Sequence, residues 1–146
     1  MKFPAMLSFH TTIHARAANI AAGPSLDCHG VSVAPLAVPA EALAHPFPVS
    51  FEEAYAVLEA LERMFIEPDG ALVWVSSATE ARWQLDGVLY DRNGKLLIVD
   101  LKGTCTPTAL DQLLRCLGWP ATELMFQITQ QAIIVSEADF RRMSTA

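Results

Sequence analysis

The segment WQLDGVLYDRNGKLLIVDLKG, residues 83–103, constrains the chain most, because it reads as a β-hairpin with charge placed inside an apolar strand. Its second half, LLIVDLK, is apolar except for Asp100 and Lys102. Runs of that kind suit a central strand, where an unpaired charge is costly. Lys102 is one of only three lysines in the chain. Strand alternation places Asp100 and Lys102 on one face, so some partner must stabilise them there.

The hairpin register decides whether Asp86 shares that face. With Asn93-Gly94 as a two-residue turn, Arg92 pairs with Lys95 and Asp86 with Leu101, which sends the two aspartates to opposite faces. A three-residue loop, Arg92-Asn93-Gly94 with Gly94 left-handed, instead pairs Asp91 with Lys95, Tyr90 with Leu96, Val88 with Ile98 and Asp86 with Asp100. The second register is expected, since it gathers Gln84, Asp86, Val88 and Tyr90 on one face and leaves the other mostly apolar. Carboxylates directly across a ladder lie ~5 Å apart at Cβ and repel. A divalent cation such as Mg²⁺ or Mn²⁺ removes that repulsion, and a lysine one step along can hold a phosphate oxygen or orient a water. The alternative is that Asp86 caps a turn and that Asp100 and Lys102 form a solvated pair.

Around the hairpin the local signals are clear. Ser50 and Glu53 form a capping box, and FEEAYAVLEALERMF then carries apolar residues at helical spacing, predicting a helix that ends near Ile66. Pro68-Asp69-Gly70 makes a turn, and residues 71–76, 82–90 and 95–101 read as strands. Thr106 opens a second helix that Gly118 and Pro120 close. Residues 124–129 and 132–135 read as strands, and Ser136 caps a short closing helix. Residues 50–146 thus form the body. Residues 1–49, rich in Ala and Pro, read as an irregular arm packing on it, with one strand where Leu7, Phe9, Thr11 and Ile13 alternate. The spacing of His10, His14, Cys28, His29 and His45 in that arm does not support a metal site.

A chain of 146 residues, 52% apolar and 18% charged, can bury one full core. Its net charge of −6 excludes coating nucleic acid by charge alone. No run reaches the ~18 apolar residues that a membrane span needs, and the first sixteen residues do not read as a secretory signal. Three cysteines without a CxxC pair fit reduced thiols, and a cytoplasmic location is expected. Ser76-Ser77 and Thr104-Cys105-Thr106 have no histidine nearby in the chain to activate them, and Trp74, Trp83 and Trp119 read as core or interface anchors.

Asp86, thirteen residues, then Asp100-Leu101-Lys102 resembles the PD-(D/E)xK nuclease superfamily over roughly residues 50–130. The resemblance implies an α/β (α+β) fold with a restriction-endonuclease-like core: a central mixed β-sheet flanked by helices, in the order helix, three strands, helix, strand. It implies a metal-dependent phosphodiesterase in which Asp86 and Asp100 ligate Mg²⁺ or Mn²⁺ and Lys102 assists the attacking water. The family often adds a glutamate from the first helix, and Glu62, within the apolar arc of Tyr55, Leu58 and Phe65, is the candidate. Leu85 stands where the motif has proline. Gln112 points away from its helix's leucine face, and Cys116 stands where exonuclease-like branches have tyrosine. Nucleic acid is the partner implied, met as a homodimer because so short a chain rarely encloses DNA alone. The competing readings are a non-catalytic interaction or binding module on the same fold, and a structural α+β protein.

Overall fold

The computed structural model describes residues 5–145; the first four residues of the arm, which also begin the segment weighed as a signal, and Ala146 lie outside it. In chain order come β1 (Leu7–Ala15), β2 (Leu26–Cys28), β3 (Val31–Val33), a 3₁₀ turn (Ala40–Ala44), α1 (Phe51–Glu59), β4 (Met64–Ile66) and β5 (Ala71–Val75). They are followed by β6 (Gln84–Arg92), β7 (Lys95–Cys105), α2 (Pro107–Cys116), β8 (Leu124–Ile128), β9 (Ile133–Ser136) and α3 (Glu137–Ser144). The architecture is α+β.

Seven strands form one sheet in the order β4-β5-β6-β7-β1-β8-β9, and β2 and β3 form a separate hairpin. Every pairing in the sheet is antiparallel, where a mixed sheet was expected. For β4 to β7 and for β8 and β9, which follow one another in the chain, the connections are too short for a parallel crossover. The helices flank the sheet on one side. Ala54 and Leu58 of α1, Leu110, Leu113 and Leu114 of α2 and Phe140 of α3 all join one core with Ile13, Leu72, Trp74, Leu85, Leu89, Val99, Leu101, Phe126 and Val135. Those strand residues share a single face by alternation. Among the described residues the opposite face carries no α-helix.

Local signals define the helix starts. Ser50 Oγ accepts from Glu53 N at 3.0 Å while Ser50 N donates to Glu53 Oε1 at 3.1 Å, completing the capping box. Thr106 Oγ1 accepts from Ala109 N at 3.1 Å, and Ser136 Oγ from Asp139 N at 3.2 Å. The end of α1 is corrected: the helix stops at Glu59, and residues 64–66 are a strand. Arg63 takes φ +62°, which reverses the chain, and the turn at Pro68-Asp69-Gly70 then folds β4 back onto β5. The core order therefore contains four strands between α1 and α2.

The first segment is more than an arm. β1 is an inner strand, paired with β7 on one side and β8 on the other. The chain after it is irregular apart from the β2–β3 hairpin and the 3₁₀ turn. That stretch runs along β9, where Leu36 N donates to Ile134 O at 2.7 Å, and crosses the open face with Ile20, Leu36, Val38, Ala42 and Leu43 packed around Met125 and Ile134.

Candidate functional site

The β6–β7 hairpin differs from both registers weighed above. Its turn is the two-residue one, with Asn93 at φ +54° and Gly94 at φ +81°, and Arg92 opposite Lys95. A bulge follows: Asp91 pairs with Leu96 but Tyr90 with Ile98, so Leu97 is the extra residue. Its cause lies in the neighbouring chain. Leu96 is fully buried, its carbonyl accepts from Phe47 N at 2.8 Å and its N–H donates to Val49 O at 3.4 Å. To keep Leu96, Val99 and Leu101 all in the core, β7 must hold one residue more than strict alternation allows.

The consequence is a correction: Asp86 stands opposite Lys102, not Asp100, and Val88 stands opposite Asp100. Asp86, Asp100 and Lys102 still share the open face, because the ladder is displaced by an even number of positions. The direct carboxylate pair does not form. Opposite charges face each other across the ladder, an arrangement that stabilises a sheet pair. Each carboxylate also has a neutral donor: Thr12 Oγ1 donates to Asp100 Oδ1 at 2.6 Å, and Gln84 Nε2 to Asp86 Oδ1 at 3.1 Å.

Neighbouring strands extend these pairs into rows across the open face. One row runs Phe65, Val73, Asp86, Lys102, His10. The next runs Ala71, Val88, Asp100, Thr12, Gln127. A third runs Tyr90, Ile98, His14, Met125. The crossing chain covers Met125, and His14 beside it is 5% exposed. His14 Nε2 lies 3.0 Å from Gln127 Oε1, while Nδ1 is buried with no partner among the described residues. Burial holds the imidazole below its ordinary pKa, opposed by the Gln127 bond and by the charge of Asp100. From β4 to β7 the face is uncovered, and Phe65, Tyr90 and Val73 are 63%, 43% and 37% exposed.

Glu62 does not join this face. It is an exposed residue of the α1–β4 connection, and its carbonyl accepts from Trp74 Nε1 at 2.9 Å on the helix-packed side. The helical arc that made it a candidate ends before it. The donor set expected for Mg²⁺ or Mn²⁺ (Asp86, Asp100 and Glu62) is therefore not brought together, and it does not fit an ion held as the resemblance implies. Among the described residues no three His, Cys, Asp or Glu side chains converge to hold an ion.

The remaining candidates have structural partners. Ser76 Oγ accepts from Trp83 N at 3.0 Å, Thr106 caps α2, and burial pushes the Cys105 thiol up to about 12. Trp74 and Trp83 stack edge to face with centroids 5.0 Å apart, and Trp119 Nε1 donates to Glu137 Oε1 at 3.0 Å. Sequence reasoning does not bring Thr12, His14 and Gln127 to the side of Asp100. The alternation of β1 held a signal for the first two, since His10, Thr12 and His14 occupy the positions between its apolar residues. No described helix is long and apolar enough to cross a membrane. Comparison with family models, with curated proteins and with solved structures gave no match to this chain.

Proposed function

We propose that this chain is a non-catalytic interaction module whose uncovered sheet face docks a second copy of itself. The observation that carries this reading is the row Val73, Asp86, Lys102, His10, with acid and base side by side at its centre. A two-fold axis parallel to the strands and midway between β6 and β7 brings Asp86 of each copy over Lys102 of the other. The same axis brings Tyr90 over Ile98 and Val73 over His10. Two sheets packed face to face in this way lie ~10 Å apart with side chains interleaved. Among the described residues Asp86 and Lys102 close no ion pair within 4.0 Å, and both are exposed toward the second copy. A homodimer follows from this self-complementarity.

Metal-dependent phosphodiester cleavage on a restriction-endonuclease-like core is the second reading. What favours it is that Asp86, Asp100 and Lys102 project from one uncovered face. The all-antiparallel sheet and the position of Glu62 weigh against it.

Molar mass measured across a concentration series, with and without Mn²⁺, separates the two. The interaction reading expects the mass to rise toward twice that of the chain, with Mn²⁺ changing neither mass nor melting temperature. A strictly monomeric chain whose melting temperature rises with Mn²⁺ would reverse the preference.

A further inference from the structure

The connection from β5 to β6 closes on itself. Ser76 N donates to Trp83 O at 3.0 Å, and Trp83 N donates to Ser76 Oγ at 3.0 Å. Between this loop and the start of β4 lies a cavity of about 290 Å³ lined by Arg63, Val75, Ser76, Ser77, Glu80 and Arg82. Two arginines line it on a chain of net charge −6. Among the described residues neither has an ion pair. Of the other five arginines four have partners and Arg92, at the β6–β7 turn, has none among the described residues: Arg16 bonds Ile20 O, Arg115 lies over Trp119, and Arg141 and Arg142 pair with carboxylates.

The cavity's own groups are arranged toward a negative guest. Its one carboxylate is turned onto the loop, Glu80 Oε1 accepting from Ser77 N at 3.0 Å. Ser76 is 6% exposed, and its oxygen already accepts from Trp83 N, which leaves its O–H to donate. Arg63 is fixed at the cavity's edge, because its carbonyl accepts from Val75 N at 3.4 Å. Planar guanidinium groups match the oxygens of a phosphate in paired hydrogen bonds.

We propose that this cavity binds a small oxyanion, a phosphate group either free or carried on a short organic molecule, with Arg63 and Arg82 as its cationic ligands and the Ser76 hydroxyl as a neutral donor. The space is roughly ten times the ~30 Å³ that one water occupies in the liquid. It is close to the ~300 Å³ at which pockets for drug-sized ligands begin. A phosphate, free or carried on a short organic molecule, fits in that space. The cavity sits at the end of β5, where Val75 continues the open face past Val73, and its proposed ligands Arg63, Arg82 and Ser76 are not among the residues of the dimer rows.

The test is an NMR titration of the full chain with inorganic phosphate and, separately, with glycerol 3-phosphate, at ionic strength held constant with sodium chloride. Saturating amide shifts are expected at Arg63 and residues 76–82. Arg63→Gln and Arg82→Gln should each weaken binding about tenfold, the loss of one charged hydrogen-bonding partner. Glu80→Gln keeps the bond to Ser77 N and removes the opposing charge, so it should tighten binding, while Arg92→Gln at the β6–β7 turn should leave it unchanged. Tighter binding of glycerol 3-phosphate assigns the site to phosphate esters, and equal binding assigns it to the free ion. The proposal is overturned if neither anion gives saturating shifts, or if the folded Arg63→Gln and Arg82→Gln variants bind as the parent does.

Discussion

Thr12 donates its hydroxyl to Asp100 Oδ1 at 2.6 Å across the β1–β7 ladder, so this half-buried carboxylate is satisfied by a neutral group and not by Lys102. Thr12→Val keeps the shape and removes the donor. It should cost about 1–3 kcal/mol, the penalty of an unsatisfied polar group in a partly dry setting. Asp100→Asn keeps an oxygen that can accept from Thr12 and should cost less than about 1 kcal/mol. Urea denaturation of the two variants checks the order; equal losses would show that charge, and not the hydroxyl bond, holds Asp100.

His14 links stability to pH. Its folded pKa lies below the ordinary 6.5, with burial as the largest cause. The unfolded chain therefore binds a proton more readily than the folded one, and stability must fall as pH drops below about 6.5 toward the folded value. Above that range both states are neutral at this residue and the contribution is complete. Asp100 is the charged group that works against the shift. Denaturation midpoints measured between about pH 7.5 and about pH 5 should decline, and His14→Gln should flatten that decline. A stability that rises on acidification through this range, and does so only when His14 is present, would contradict the burial described.

The hairpin makes two different demands on glycine. At Gly94 the turn requires φ +81° but a Cβ meets nothing within 4 Å, so Gly94→Ala should cost only about 1 kcal/mol of backbone strain. At Gly87 an added Cβ would sit 2.5 Å from Asp100 O and 2.7 Å from Leu101 Cδ2. Gly87→Ala should therefore cost about 3 kcal/mol, as overpacking does when backbone must move. Thermal melts of the pair check the contrast, and a milder effect at Gly87 than at Gly94 would contradict the register.

How far the sequence reveals this molecule depends on whether a feature is local. Ser50 with Glu53, Thr106 and Ser136 announce helix starts within a single turn of chain, and each is realised. The alternation of Leu7, Phe9, Thr11 and Ile13 announces a strand, but not that it is inserted between β7 and β8. Asp86 keeps its face because parity survives any even displacement of the ladder. Its partner changes because Phe47 and Val49, far from Leu96 in sequence, tie that residue down and force the bulge at Leu97. Leu61 and Phe65 fit a helical arc as well as Met64 and Ile66 fit a strand, and only the left-handed Arg63 and the pairing with β5 decide between them. Glu62 was placed by the losing pattern.

Exposed Tyr90 separates folding from association. It is 43% exposed, so Tyr90→Ser should change stability by less than about 0.5 kcal/mol. In the two-fold arrangement it rests on Ile98 of the second copy, and its loss should weaken the dimer about tenfold, as expected for an aromatic near an interface centre. Sedimentation equilibrium on a variant shown by thermal melt to be intact checks both halves. A dimer constant equal to the parent's would remove Tyr90 from the interface.

The most direct measurement mixes two charge variants. With Asp86→Lys, both members of the cross-strand pair are cationic, and each copy presents that double positive charge to its like. With Lys102→Glu, both members are anionic, and two double negative charges meet. Either variant alone therefore places like charges face to face, which costs a close interface several kcal/mol. Mixed in equal amounts, the two variants set the cationic pair of one copy against the anionic pair of the other, restoring both attractions. Native mass spectrometry should find each variant monomeric by itself and a one-to-one heterodimer in the mixture. Single variants that dimerise as the parent does, or a mixture that stays monomeric under conditions where the parent is dimeric, would contradict the proposed face.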